Sequence, residues 1–302
     1  MQQELPGDLR ELLAAQYTGE ETEAILSGFF GKRRVTLRVN TIKTSTAQAR
    51  SQLEEAGLTV CPVAWSEDAL IIENARERAL EALPLYTRGE IYLQSLSSML
   101  PPLLLAPQPG ECILDMAAAP GGKTTQMAAL SGNRALITAC EMNKIRAQRL
   151  EYNVGKQGAL HVNVMVTDSR RLDDLFRFDK ILLDAPCSGS GTIVRTEQGY
   201  TGGFSLALMN RCVRTQEEML KKALRLLKPG HEMVYSTCSI LQSENEALVE
   251  RVLRRSPAEV VPMDEKRFES VPRLPTRLEG ALLVRPTETY EGFFAVKLRR
   301  RK

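Results

Sequence analysis

Four carboxylates in this 302-residue chain stand directly after short apolar runs. Asp115 follows Cys112-Ile-Leu114, and Glu141 follows Ala135-Leu-Ile-Thr-Ala-Cys140. Asp168 follows Val162-Asn-Val-Met-Val-Thr167, and Asp184 follows Asp179-Lys-Ile-Leu-Leu183. Such runs read as buried strands, and the carboxyl ends of successive strands are where an open α/β sheet binds its ligand. A turn of small residues, Ala117-Ala118-Ala119-Pro120-Gly121-Gly122, follows the first acid, and a helical pattern opens just past Lys123, at Thr124. Glycines there let backbone approach a nucleotide-like ligand, and amides at a helix N-terminus favour a negative group such as a carboxylate. Glu141 lies about twenty residues beyond the turn, where doubly wound folds hold ribose hydroxyls. Two cysteines complete the set, in Asp184-Ala-Pro-Cys187-Ser-Gly189 and Ser236-Thr-Cys238-Ser239. A thiolate attacks carbon readily and leaves again. An isolated cysteine equally serves as a small core residue, so reactivity must come from the surroundings.

Other readings of these residues are open to the same pattern. Gly121-Gly-Lys-Thr-Thr125 ends like a phosphate-binding loop, but such a loop opens on a Gly where this chain has Ala117. No second Gly-x-Gly-x-x-Gly is present, which argues against a nicotinamide dehydrogenase. Glu141 and Asp168 could also simply cap the helices that follow them.

The elements that must position these groups follow from periodicity. Residues 8 to 30 read as helices, and Val35-Thr-Leu-Arg-Val-Asn40 alternates as a strand. Ser45 caps a helix that Gly57 ends, and strands follow at Leu58-Thr-Val-Cys-Pro62 and Ala69-Leu-Ile-Ile72. Strand, helix, strand, strand predicts a small ferredoxin-like (RRM-like) α/β layer, without stacking aromatics on its first strand, so any RNA contact there would be ionic. Gly89 to Leu100 reads as a strand and a helix, punctuated by Pro101, Pro102, Pro107 and Pro109. Beyond it strands and helices alternate as in a doubly wound, Rossmann-like sheet. Helices are predicted at Lys144–Val154 and Arg211–Leu227. The expected domains are residues 1–105 and 106–302, with the boundary near Leu105.

Composition is that of an ordinary soluble globular protein. No signal pattern and no apolar run of membrane-spanning length are visible, so the cytoplasm is the expected location and no membrane partner is expected. Six scattered cysteines without a Cys-x-x-Cys pair, and only two histidines, predict neither a zinc site nor a disulfide framework. The net charge of +3 is small, but Gly31-Lys-Arg-Arg34 and Lys297-Leu-Arg-Arg-Arg-Lys302 are basic clusters suited to phosphates. Each is equally readable as a solvated surface.

Asp115-Met-Ala-Ala-Ala-Pro-Gly-Gly-Lys-Thr124, Asp184-Ala-Pro-Cys-Ser-Gly189 and Ser236-Thr-Cys-Ser239 together resemble the RNA cytosine-5 methyltransferases of the Fmu/Sun/nucleolar-protein type. Leu37-Arg-Val-Asn40 and Tyr92-Leu-Gln-Ser-Leu-Ser-Ser98 extend the resemblance upstream. It implies a class I methyltransferase sheet with S-adenosylmethionine as cofactor. Ala117 to Lys123 would then form the cofactor loop beside Asp115, with Glu141 on the ribose hydroxyls and Asp168 near the adenine. Cys238 would attack C6 of cytosine, because C5 is otherwise a poor carbon nucleophile. Cys187 would assist release of the methylated product, and Asp184 would bond the cytosine edge. Lys123 would meet either Asp184 or the methionine carboxylate. Two cysteine motifs favour RNA over DNA, since DNA enzymes of this chemistry attack with the Pro-Cys cysteine.

The chain departs from the family in Arg285-Pro-Thr-Glu-Thr-Tyr-Glu-Gly-Phe-Phe294, where relatives often carry a histidine before the last strand. It also stops at Lys302, short of a C-terminal RNA-binding domain found in some relatives. The expectation is an RNA methyltransferase that makes 5-methylcytosine in structured ribosomal or transfer RNA, with the target base out of its stack and a monomer favoured. Its alternative is a catalytically idle RNA-binding assembly factor on the same fold.

Overall fold

The computed structural model describes residues 5–29, 33–196, 199–201 and 203–302. Gly31 and Lys32 of the first basic cluster lie outside the described residues, as does the extreme N-terminus, Met1 to Glu4.

Two helices, α1 (Gly7–Gln16) and α2 (Gly19–Phe29), open the chain. The small layer follows: β1 (Val35–Val39), α3 (Thr46–Glu55), β2 (Val60–Val63), β3 (Ser66–Ile72), the short α4 (Glu77–Glu81) and α5 (Pro84–Thr87), and β4 (Ile91–Leu93). Ser45 starts α3 with a full capping box: its side chain accepts from Gln48 N while the Gln48 side chain meets the Ser45 amide. The sheet order is β2-β3-β1-β4 with every pairing antiparallel. That is the ferredoxin-like βαββαβ arrangement, and β4, the strand read in Gly89 to Leu100, supplies its fourth strand. Leu37, Val39, Leu53, Leu70 and Ile91 form its own core.

Helix α6 (Leu96–Leu105) corrects the reading of Pro101 and Pro102 as punctuation, because both lie inside it. Proline removes an amide from the helix ladder. Here the Ser98 carbonyl, four residues before Pro102, accepts instead from Gln94 Nε2 at 3.2 Å. The helix is buried along almost its whole length against the large sheet, which offsets the lost bonds.

The large sheet is built from β5 (Cys112–Asp115), β6 (Leu136–Cys140), β7 (Val162–Met165), β8 (Phe178–Asp184) and β11 (Leu227–Thr237), all parallel in the order β7-β6-β5-β8-β11. A hairpin of β9 (Val194–Thr196) and β10 (Gly199–Thr201) leaves the loop after β8. Beyond β11, β12 (Ala258–Val261) and β13 (Leu282–Val284) lead to β14 (Phe293–Arg300), which runs antiparallel between β11 and β12. Helices α7 (Gly122–Leu130), α8 (Lys144–Gln157), α9 (Leu206–Leu226) and α10 (Glu246–Leu253) connect the strands. Alternation along β8 and β11 sends Ile181, Leu183, Met233 and Tyr235 to one face and Leu182 and Val234 to the other. One face packs on α9 and α10 together with α1 and α2, and the other on α6, α7 and α8. The first two helices therefore belong physically to the core of the large sheet. Among the described residues no helix is long and apolar enough to cross a membrane, and no His/Cys/Asp/Glu group could hold a metal.

Candidate active site

The carboxyl ends of β5, β6, β8 and β11 bring the chemistry-bearing residues together. Asp115 ends β5 and is fully buried, its Oδ2 accepting from Thr124 Oγ1 at 2.7 Å. Burial pushes its carboxyl up to about 6. The turn after it follows the sequence reading: Gly121 has φ +108 and caps α7 without a side chain, leaving the first-turn amides no acceptor from that position. A Cβ on Gly121 would also meet Leu150 Cδ1 at 3.0 Å.

Lys123 reaches across the turn to Asp184 at the end of β8, with Nζ–Oδ2 at 2.7 Å. It also donates to Ser98 Oγ at 2.8 Å. Burial works against its charge, but the Asp184 carboxylate outweighs that and raises its pKa. Ser236 Oγ donates to the other Asp184 oxygen at 2.7 Å. Asp184 is thus held by one cation and one hydroxyl, and stays partly open.

Two loops then carry the thiols. Ala185 N donates to the Ser236 carbonyl at 2.8 Å and Gly191 N to the Cys238 carbonyl at 3.0 Å, which ties the loops after β8 and β11 side by side. Cys187 Sγ and Cys238 Sγ end 3.1 Å apart. The contact with Cys238, burial and the charge of Glu244 push the Cys187 thiol well above its ordinary range.

Two cavities meet at this point. One, of about 450 Å³, is bounded by Arg33, Tyr92, Lys123, Glu291 and Phe293 and also touches Asp115, Ala118, Pro120 and Gly122. The other, of about 250 Å³, runs from Glu141, Met142 and Asp168 past Pro186 and Met219 to Cys187. Ala117, Ala119, Asp184 and Cys238 line both. Gly121 lines neither and acts through the turn. Glu141 accepts from Asn143 N at 2.8 Å and faces Arg146 at 3.5 Å. Asp168 caps a 3-10 turn and takes Arg170 in a bidentate grip, whose bonds lower its pKa. Asp168 both caps and lines a cavity, whereas the cap of α8 is Asn143, whose Oδ1 accepts from Ile145 N and Arg146 N, and Glu141 braces that residue.

A family model described as "16S rRNA methyltransferase RsmB/F" matches residues 102–299. The chain belongs to that family. A second model, described as an RsmF/B-like ferredoxin-like domain, matches residues 5–78. The ribosomal RNA small subunit methyltransferase F of Shewanella sp. (strain ANA-3) is 38% identical over 277 residues, 88% of this chain and 56% of that protein. The chain spans about half the length of the curated relatives it matches. A methyltransferase homolog protein from Pyrococcus horikoshii has a solved structure at 31% identity and TM-score 0.81, covering 98% of this chain and 99% of that one. NSun6 from Pyrococcus horikoshii, solved with SFG, shares the fold at TM-score 0.87 and 24% identity, over 98% of both chains.

In this RsmB/F family member the structure adds residues that sequence reasoning passed over. Arg38 of β1 is buried and bonds Gln94 Oε1 and Thr125 Oγ1, both at 3.1 Å, joining the small layer to α7. Burial lowers its pKa to about 10. Glu291 pairs with Arg33 at 2.8 Å and accepts from Ser95 Oγ at 2.9 Å. Arg34 pairs with Glu73 and Glu288, so both described arginines of the first basic cluster are engaged within the protein. In the last cluster Arg299 and Lys297 pair with Glu232, and Arg301 pairs with Glu259. That cluster sits at the far end of the sheet, because β14 sets Arg299 opposite Glu232 and Phe294 opposite Thr237. An arginine inside an alternating apolar strand was the one signal for Arg38. Glu244 is buried among neutral donors, and only its closeness in sequence to Cys238 hinted at it.

Proposed function

We propose that the chain is an S-adenosylmethionine-dependent RNA methyltransferase that acts on C5 of cytosine in small-subunit ribosomal RNA through a covalent thiol adduct. The observation that carries this reading is the Cys187–Cys238 pair, 3.1 Å apart at the wall shared by the two cavities.

The smaller cavity suits the cofactor by the chemistry of its walls. Glu141 and Asp168 offer carboxylates to hydroxyl and amino donors, and Met142, Pro186 and Met219 offer apolar surface to a purine. The free amides at the start of α7 suit a carboxylate. When bound, S-adenosylmethionine would supply an electrophilic methyl group.

The larger cavity then takes the flipped cytosine. Cys238 gives up its proton to solvent and its thiolate forms a bond to C6, breaking the C5–C6 π bond, and that electron pair makes C5 nucleophilic. The Asp184 carboxylate accepts from the exocyclic amine, and Lys123 beside it meets negative charge building on the ring. After methylation the C5 proton leaves to solvent and the C6–S bond breaks. Cys187, held as the protonated thiol, stabilises the departing sulfur of Cys238 by donating to it. The buried Arg38 link makes the small layer a fixed wall of the site, which supports a role for that layer in presenting RNA.

Denaturing gels of enzyme incubated with small-subunit RNA and cofactor test the assignment. Cys238→Ala is expected to give neither product nor adduct. Cys187→Ala is expected to transfer methyl and then accumulate a covalent protein–RNA band. Adduct on Cys238→Ala and none on Cys187→Ala would reverse the roles and remove the main support for RNA over DNA.

A further inference from the structure

The carboxylate of Glu244 is completely buried between the two cysteine loops. Oε1 accepts from Ser188 N at 2.8 Å and Gln216 Nε2 at 3.3 Å. Oε2 accepts from Ser188 Oγ at 2.5 Å and Ser239 Oγ at 2.6 Å. All four donors are neutral, and a buried carboxyl group costs the fold stability unless such bonds satisfy it. Ser188 directly follows Cys187, and Ser239 directly follows Cys238.

The two loops depend on this carboxylate unequally. The Cys238 loop has anchors of its own, Asn245 Nδ2 on the Ser239 carbonyl at 2.9 Å and Ser239 N on Thr237 Oγ1 at 3.3 Å, while Gly191 N on the Cys238 carbonyl and the Ser190–Ser239 hydroxyl pair at 2.9 Å tie the two loops to each other. On the Cys187 side, both bonds from Ser188 run into Glu244. Gln216, which donates to the Pro186 carbonyl at 2.9 Å, is itself turned toward Glu244.

We propose that Glu244 is a positioning residue for product release: it holds Cys187 against Cys238 and leaves the attack by Cys238 to other anchors. The inference rests on the two-thiol reading above. Removing Glu244 lets the Cys187 loop drift, so adducts form but resolve slowly.

The test uses the full chain with two readouts. A short bis-alkylating thiol reagent, dibromobimane, reports whether Cys187 and Cys238 can be bridged without RNA, with the bridged peptide mapped by mass spectrometry. Single turnover on small-subunit RNA reports adduct formation and release separately. Glu244→Ala is expected to bind cofactor normally, bridge poorly and release about tenfold more slowly or worse. Glu244→Gln, which keeps an oxygen for Ser188 N, is expected to restore most of both. If Glu244→Ala loses cofactor binding and so its fold, Ser188→Ala is expected to move bridging and release in the same direction by a smaller factor. Unchanged bridging, or loss of adduct formation with bridging intact, would overturn the proposal. Reduced bridging with no adduct on Cys187→Ala would instead locate the failure in the two-thiol assignment, and the release role would fall with it.

Discussion

Lys123 Nζ lies 2.7 Å from Asp184 Oδ2 although the two residues arrive on different elements, α7 and β8. The pair places a fixed positive charge behind the carboxylate proposed to meet the base. Lys123→Met leaves Asp184 without its cation beside the Ser236 hydroxyl. Methyl transfer should fall about 100-fold or more in kcat, while calorimetric affinity for the cofactor stays within a few-fold. Equal loss of both would place Lys123 on the cofactor instead.

Asp115 couples stability to pH with a definite sign. Its folded pKa, about 6, lies above the ordinary 3.8, so its charged form costs the fold stability. The full cost, about 3 kcal/mol, is present above about pH 6, fades as pH falls through 6, and is gone below the ordinary value. Asp115→Asn should therefore raise Tm, and raise it more at pH 7.5 than at pH 5, while weakening cofactor binding. Calorimetric scans at the two pH values check this, and an equal gain at both would refute it.

Glu141 offers a carboxylate to the smaller cavity while it accepts from the amide of Asn143, the cap of α8. Loss of charge-assisted bonds to hydroxyls is worth about 1.5–3 kcal/mol. Glu141→Ala should weaken S-adenosylmethionine binding roughly tenfold or more, measured by isothermal calorimetry. Unchanged affinity would leave Glu141 as a brace for the Asn143 cap alone.

Gly191 sits where a Cβ would meet the Gly292 carbonyl oxygen at 2.0 Å. Gly191 N also bonds the Cys238 carbonyl, so the clash falls directly on the nucleophile loop. Gly191→Ala should cost about 3 kcal/mol or more in denaturant unfolding and abolish adduct formation. Gly155→Ala in α8, with nothing within 4 Å of the added methyl, should stabilise by about 0.5–1 kcal/mol.

Arg38 lets the junction between the two layers be tested by itself. Arg38→Met removes its bonds to Gln94 and Thr125 and should lower unfolding stability by about 2–3 kcal/mol. RNA turnover should fall further than cofactor affinity. A variant as stable as the parent would show that apolar packing alone joins the layers.

Strand ends followed by acids were legible because a parallel sheet needs apolar runs and its ligands gather at one edge. Asp115, Glu141, Asp184, Cys187 and Cys238 were all read from such positions, and the structure brings them around two adjoining cavities. The capping of α3 by Ser45 and of α8 after Glu141 was local chemistry, and so readable. What escaped was set by distant partners. Pro101 and Pro102 read as breakers because the packing that offsets their lost bonds comes from residues far along the chain, such as Leu182 and Val234. The ion pairs that occupy Arg33 and Arg34 involve Glu291, Glu73 and Glu288, far along the chain. Glu244 has no local signature either, since its four donors come from three separate elements.

The placing of β14 between β11 and β12 has a consequence for how the molecule is made. Residues 291 and 292 close the site by binding Arg33, Ser95 and Gly191. At its other end, Gln16 and Tyr17 of the first helix and its exit bond the Ile240 carbonyl. A ribosome that adds roughly 5–20 residues per second keeps Gln16 waiting on the order of 10–45 s for that carbonyl. The cofactor loop, Lys123 and Cys187 are all synthesised well before their last wall. Until β14 emerges, the site has thiols and acids but no enclosure, and the opening helices expose an apolar face that a growing chain must shield.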